Sequence, residues 1–197
     1  KNGWNMVGSP FAFPVEVAAD PNEVSALYFF GDSTNRDGWS LQDYKMDPWA
    51  GYAVYTDLES ATIELLPFPI EDEENNARRI AGEGWTIVLS AESERYIDKT
   101  MVIGRHSNAK DIKDGMDIPL LPSVGKGLSM AISLDNGTRF DHSSDIRSLD
   151  EQNGVWSVSI SSASDPGPVQ FSAAVDGSIP PEISVAVLDI QTRKIYT

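Results

Sequence analysis

Period-two alternation constrains this chain more than any other feature. In LSMAISL, Leu128, Met130, Ile132 and Leu134 fall on one side of an extended backbone, and Ser129, Ala131 and Ser133 on the other. WSVSIS sets Trp156, Val158 and Ile160 against three serines, VQFSAAV lines up Val169, Phe171, Ala173 and Val175, and WTIVLS lines up Trp85, Ile87 and Leu89. Successive side chains of a strand point to opposite faces, so each run buries one face and leaves the other to water. These are half-buried antiparallel strands by pattern, and their phase makes Trp156 a core residue. SALYFF, GYAVYT, ATIELL, MVIG and ISVAVLDI, rich in β-branched and aromatic residues, read as further strands. DNG, DPG, NRDG and IPPE mark turns between them. The best helical window, EDEENNARRI, allows one or two turns. Helix is therefore expected below ~15% of the chain, against about a third in an average globular domain. The expected fold is all-β: an antiparallel β-sandwich, immunoglobulin-like or jelly-roll-like, in two packed β units.

The same acidic segment is the natural boundary, because it is polar and strands flank it on both sides. It divides the chain into a first β unit at 1–70, an acidic linker at 71–80 and a second β unit at 81–197. With 197 residues, 41% of them hydrophobic, there is apolar material for one large core or two small ones. The second unit holds six or seven strands, enough for a sandwich of its own. Gly-Trp opens a strand in each unit, in NGWNMV and in EGWTIV.

Charge and composition exclude several classes of function. Thirty acidic against fifteen basic residues give a net charge of −15. Such a chain repels nucleic acid, whose phosphates require clustered Lys and Arg. No apolar run reaches the roughly 18 residues that a membrane-spanning helix needs. The chain has no cysteine, which excludes disulfides, thiol catalysis and Cys-ligated zinc. The KNGW start shows no hydrophobic h-region, and the expectation is that a signal peptide was removed or that the chain is a piece of a longer one.

Motifs of catalysis are sparse. There is no G-x-S-x-G elbow and no complete phosphate loop. His142, in FDHSSD, has the parts of a Ser-His-Asp triad beside it, but triads are defined by spatial roles, and a solvated turn histidine is the simpler reading. The thirty carboxylates leave a glycoside-hydrolase pair formally open without singling one out. Two constellations suggest binding instead. Trp39, Tyr44 and Trp49 lie in the turn-rich DGWSLQDYKMDPWAGY, where exposed aromatic rings would stack on sugars and buried ones would cover a sheet edge. Asp111, Asp114 and Asp117, in DIKDGMD with Gly115 allowing a bend, could hold a structural Ca²⁺ with help from backbone carbonyls, or simply accept hydrogen bonds within a turn.

Nearly the whole chain resembles a β-rich module that often precedes the C-terminal sorting domain of type IX secretion cargo. The likeness is carried by GWNMVGSPFAFPVEV and DPWAGYAVYT, with Ser9 where Asn is common and Ala53 where Trp is common. It continues in GWTIVLSAES, Asp98, the Gly104–Ala109–Asp111–Asp114 spacing, a proline stretch reduced to Pro119 and Pro122, Asp145-x-Arg147, and the strand opened by Trp156. The resemblance implies structural roles for Trp4, Gly8, Pro10 and Pro14, and a further strand and sorting domain beyond LDIQTRKIYT. It implies a secreted or cell-surface, non-catalytic module that acts as a spacer, stabiliser or adhesion unit, with neighbouring domains of the same polypeptide as its partners. A carbohydrate-binding module, with polysaccharide as partner, is the first alternative, and a carboxylate hydrolase fragment the second. Asp145 and Arg147, two apart on an extended segment, are expected to pair with other charged groups and pin a loop.

Overall fold

The computed structural model describes residues 1–197 apart from 21–22, 26, 31–36, 43, 67–82, 123–126, 136, 151–152 and 164–166. The proposed linker at 71–80 thus lies outside the described residues. The described residues form strands and no helix, so the protein is all-β.

Eight strands make the main sheet. Seven follow the spatial order β1 (Gly3–Gly8), β6 (Gly51–Thr56), β3 (Leu27–Phe30), β4 (Asp37–Gln42), β9 (Tyr96–His106), β8 (Gly84–Glu92), β13 (Gln170–Gly177). The eighth, β11 (Ser144–Ser148), also pairs with β9. Three smaller sheets complete the set: β5 (Lys45–Met46), β2 (Val15–Ala19) and β7 (Ile63–Leu66); β10 (Leu128–Ser133) with β12 (Ser157–Ser162); and the hairpin β14 (Val187–Asp189) with β15 (Lys194–Tyr196).

Two pairings depart from the antiparallel expectation. The eleven-residue β9 takes β4 in parallel along its first part, Tyr96 to Lys99, and β11 in parallel along its second, Val102 to His106. In β4 only Trp39 and Leu41 alternate with polar residues, within a turn-rich stretch, and β11 has a single apolar residue, Ile146. Their places come from backbone ladders to a long central strand, which no local pattern encodes. The β4–β9 pairing also carries the main sheet across from the N-terminal to the C-terminal part of the chain. Close approach there depends on Gly38, at φ +149°: a Cβ at this position would stand 1.5 Å from the Ile97 carbonyl oxygen.

Apolar side chains cover both faces of the sheet at different places. Trp85, Ile87, Leu89, Met101 and Ile103 of β8 and β9 pack against Leu128, Met130 and Ile132 of β10. Alternation therefore names the buried apolar face of both β8 and β10, but the opposite face is left to water only in part in β10, where Ala131 and Ser133 are buried too. On β3 and β6, Leu27, Tyr52 and Val54 pack with Val15, Val17 and Met46 of the β5–β2–β7 sheet. Tyr28 and Ala53, their neighbours in sequence, turn to the opposite face and meet Leu121, Trp4, Trp39 and Leu41. Within the opening stretch, Trp4 lies edge-on to Tyr28 and Tyr55 and donates to the Leu120 carbonyl at 3.1 Å, so this residue anchors the sheet. The alternation in β13 is only partly realised: Phe171 is half-buried, while Val175 is 55% exposed.

Candidate functional site

Charged and aromatic side chains gather where β11, the end of β9 and the approach to β12 meet. Parallel pairing sets Arg147 beside Arg105 and Asp145 beside Ile103. Asp145, which is buried, takes both nitrogens of a forked contact from Arg147, Nη2 at 2.8 Å and Nε at 3.2 Å. The expectation that these two pair elsewhere is corrected: they pair with each other, because a residue and its second neighbour share one face of a strand. Trp156 completes the group. Its Nε1 donates to the Asp145 carbonyl at 3.2 Å, and its ring packs edge-on to Trp85 at 6.2 Å. Two guanidinium carbons stand over the ring, Arg147 at 4.8 Å and Arg105 at 5.8 Å from its centroid. Trp156 is half-buried rather than fully buried, since it sits ahead of β12 at the margin of the core. Arg105 is 2% exposed and donates to the carbonyls of Ser148 and Asn153. Gly154 leaves the room: a Cβ there would lie 2.9 Å from Arg105 Nη2 and 3.2 Å from the Trp156 ring. The cluster ties the segment that leaves β11 back onto the sheet.

Beside it lies the acidic loop. Asp117 is buried and accepts from the N–H of Asp114 at 2.9 Å and of Ile146 at 3.2 Å. Burial pushes its carboxyl up to about 7, helped by the nearby charges of Asp114 and Asp145 and opposed by the two N–H donors. Asp114 accepts from the N–H of Lys110 and of Met116, both at 2.8 Å. Asp111 accepts from Ser148 N–H at 3.2 Å. The three candidate calcium ligands therefore brace the loop against itself and against β11. Among the described residues no group of three or more acidic or histidine side chains is placed to hold a metal ion.

The remaining candidates separate. Trp39 lies in the cluster with Tyr28, donates to the Pro122 carbonyl at 3.0 Å and packs edge-on to Phe30. Tyr44 packs into the cluster on the other face. Trp49 is 81% exposed, at φ +62°, in the turn from Asp47 to Ala50. The three rings do not form one platform.

His142 is buried, with Nδ1 2.6 Å from Asp141 Oδ1. Its Nε2 is buried without a hydrogen-bond partner. The adjacent hydroxyls point elsewhere: Ser143 donates to the carbonyls of Ile118 and Pro119, and Ser144 to that of Met116. Asp98, a position singled out in the sequence only by the resemblance, ties two sheets together. It accepts from Thr100 N–H and Oγ1 on its own strand and from Met130 N–H on β10 at 2.7 Å. Burial raises its pKa, and these donors oppose the rise. A hollow of about 340 Å³ opens between Glu92–Glu94 and Pro168–Gln170, and none of these buried groups lines it.

Comparison of the chain with protein-family models, curated proteins and solved structures finds no match.

Proposed function

We propose that the chain is a non-catalytic module of a larger secreted or cell-surface protein, serving as a spacer, stabiliser or adhesion unit, in line with its resemblance to modules of type IX secretion cargo. The observation that carries this reading is how the buried polar groups are used. Asp98, Asp117 and Arg105 are each engaged by backbone groups of another segment, and Asp145 holds Arg147, which in turn reaches the Val155 carbonyl. Catalytic sites instead keep perturbed groups convergent on a cleft. Asp98, under β10, and Asp117, under β11, serve different junctions of the fold.

A carbohydrate-binding reading is favoured by one feature, the exposed indole of Trp49, whose ring face is open to stack on a sugar. Pull-down on insoluble polysaccharides together with a glycan array separates the two. The module reading expects no retention. Retention that disappears in Trp49→Ala would replace it with the carbohydrate reading. Protease shaving of intact source cells tests the location: the module should be cleaved from outside, and full protection would overturn surface display.

A further inference from the structure

We propose that the outer edge of β13 is a pairing surface for a second copy of this chain, in antiparallel register centred on Ala173. This goes beyond the module reading and does not depend on it.

β13 ends the main sheet, with β8 its one neighbouring strand among the described residues. The direction of its backbone groups follows from the ladder. Val102 donates its N–H to the Ser143 carbonyl at 3.0 Å, away from β8. In an antiparallel ladder both polar groups of a residue point the same way, so Val88, opposite Val102, directs its groups to β13. Its partner there, Ala174, therefore turns toward β8, while Phe171, Ala173 and Val175 turn their N–H and C=O outward. Natural edges of this length are guarded by Lys, Pro or a bulge. QFSAAVDG contains neither residue, and its register with β8 runs without a shift.

The edge is self-complementary. In hydrogen-bonded register about Ala173, Phe171 faces Val175 of the second copy, twice by symmetry, and Ser172 faces Ala174. Aromatic and β-branched residues are favourable cross-strand partners. The pairing would cover Val175, now 55% exposed, and extend the apolar layer that Ile87, Leu89 and Ala91 begin across β8. Charge favours the same partner. Asp176 faces Gln170 of the second copy rather than another acid. Glu92, on the other side of Gln170, is already paired with Lys99 at 3.0 Å. From Asn153 to Val175 the only charged residue is Asp165, so the edge strand itself adds little to the repulsion between two chains of net charge −15.

Sedimentation equilibrium of the full chain tests this. The expected result is a concentration-dependent species of twice the 21.5 kDa chain mass. Gln170→Lys should tighten the dimer by about fivefold and Gln170→Asp should weaken it by about fivefold, because each places a charge opposite Asp176 in two symmetric pairs. Since the chain has no cysteine, Ala173→Cys should oxidise to a covalent dimer, whereas Met6→Cys, 70% exposed on the opposite edge strand, should not. Circular dichroism of each variant confirms that the fold is kept. A wild type that remains monomeric at the highest attainable concentration overturns the proposal. So does a dimer indifferent to both substitutions at Gln170.

Discussion

Replacing Trp156 by Ala removes the ring that joins β8, β9 and β11 to the loop before β12. A fully buried Trp→Ala change costs ~3–5 kcal/mol, and half-burial reduces the packing part to about 2. The edge-on contact with Trp85 adds ~0.5–1.5 kcal/mol. The stack on Arg147, with its guanidinium carbon 4.8 Å from the ring centroid, adds ~0.5–1, and the bond from Nε1 to the Asp145 carbonyl about 1. These terms share atoms and do not sum fully, so the expected loss is about 3 kcal/mol. For a chain of this length that corresponds to a fall in Tm of roughly 6–12 °C. Urea titration followed by tryptophan fluorescence and circular dichroism reads it as a shift in midpoint at unchanged slope. Trp156→Phe keeps the ring but lacks the N–H, and should lose only about 1–1.5 kcal/mol. A loss below about 1 kcal/mol for Trp156→Ala, or equal losses for Phe and Ala, would refute the argument that this cluster fastens the loop.

The raised carboxyl of Asp117 gives a pH dependence of defined sign. Between about pH 4 and 7 the unfolded chain is ionised there while the folded chain keeps its proton, so stability falls as pH rises through that window and levels off above it. The contribution is at most about 4 kcal/mol, read as the difference in slope between wild type and Asp117→Asn; parallel pH profiles would refute it. Because Asp114 and Asp117 already accept from backbone N–H groups, melting curves in millimolar calcium and in chelator are expected to coincide. A rise in Tm with calcium that Asp114→Ala with Asp117→Ala abolishes would restore a structural ion. Trp49 adopts a left-handed conformation that favours glycine, with its indole exposed, so Trp49→Gly should stabilise the chain by up to ~1 kcal/mol. A loss of stability in that variant would show that the indole packs on its surroundings.

The sequence by itself determined the fold class and much of the core. Alternation with period two is a local property, and where one face of a strand meets a packed layer it names the buried residues directly, as at Trp85, Ile87, Leu89, Leu128, Met130 and Ile132. It did not single out β4, where the alternation of Trp39 and Leu41 is embedded in turn formers, or the polar β11; pairing with β9 places both, with β3 on the other side of β4. It overstated β13, because alternation shows which residues share a face but not whether another layer covers it. The positions behind the resemblance, Asp145, Arg147 and Trp156, were legible one by one; that they converge with Arg105 into a single cluster was decided by the parallel register of β11 on β9 and the return of the chain before β12. Likewise, spacing brought Asp111, Asp114 and Asp117 together on paper, but only the packing of the loop against β11 set which oxygens meet which N–H groups and buried Asp117 alone. Trp39, Tyr44 and Trp49 are neighbours in sequence, yet the sheet passes between the first two: a pleated strand and the turn after it send nearby side chains to opposite faces, so nearness along the chain does not become nearness in space.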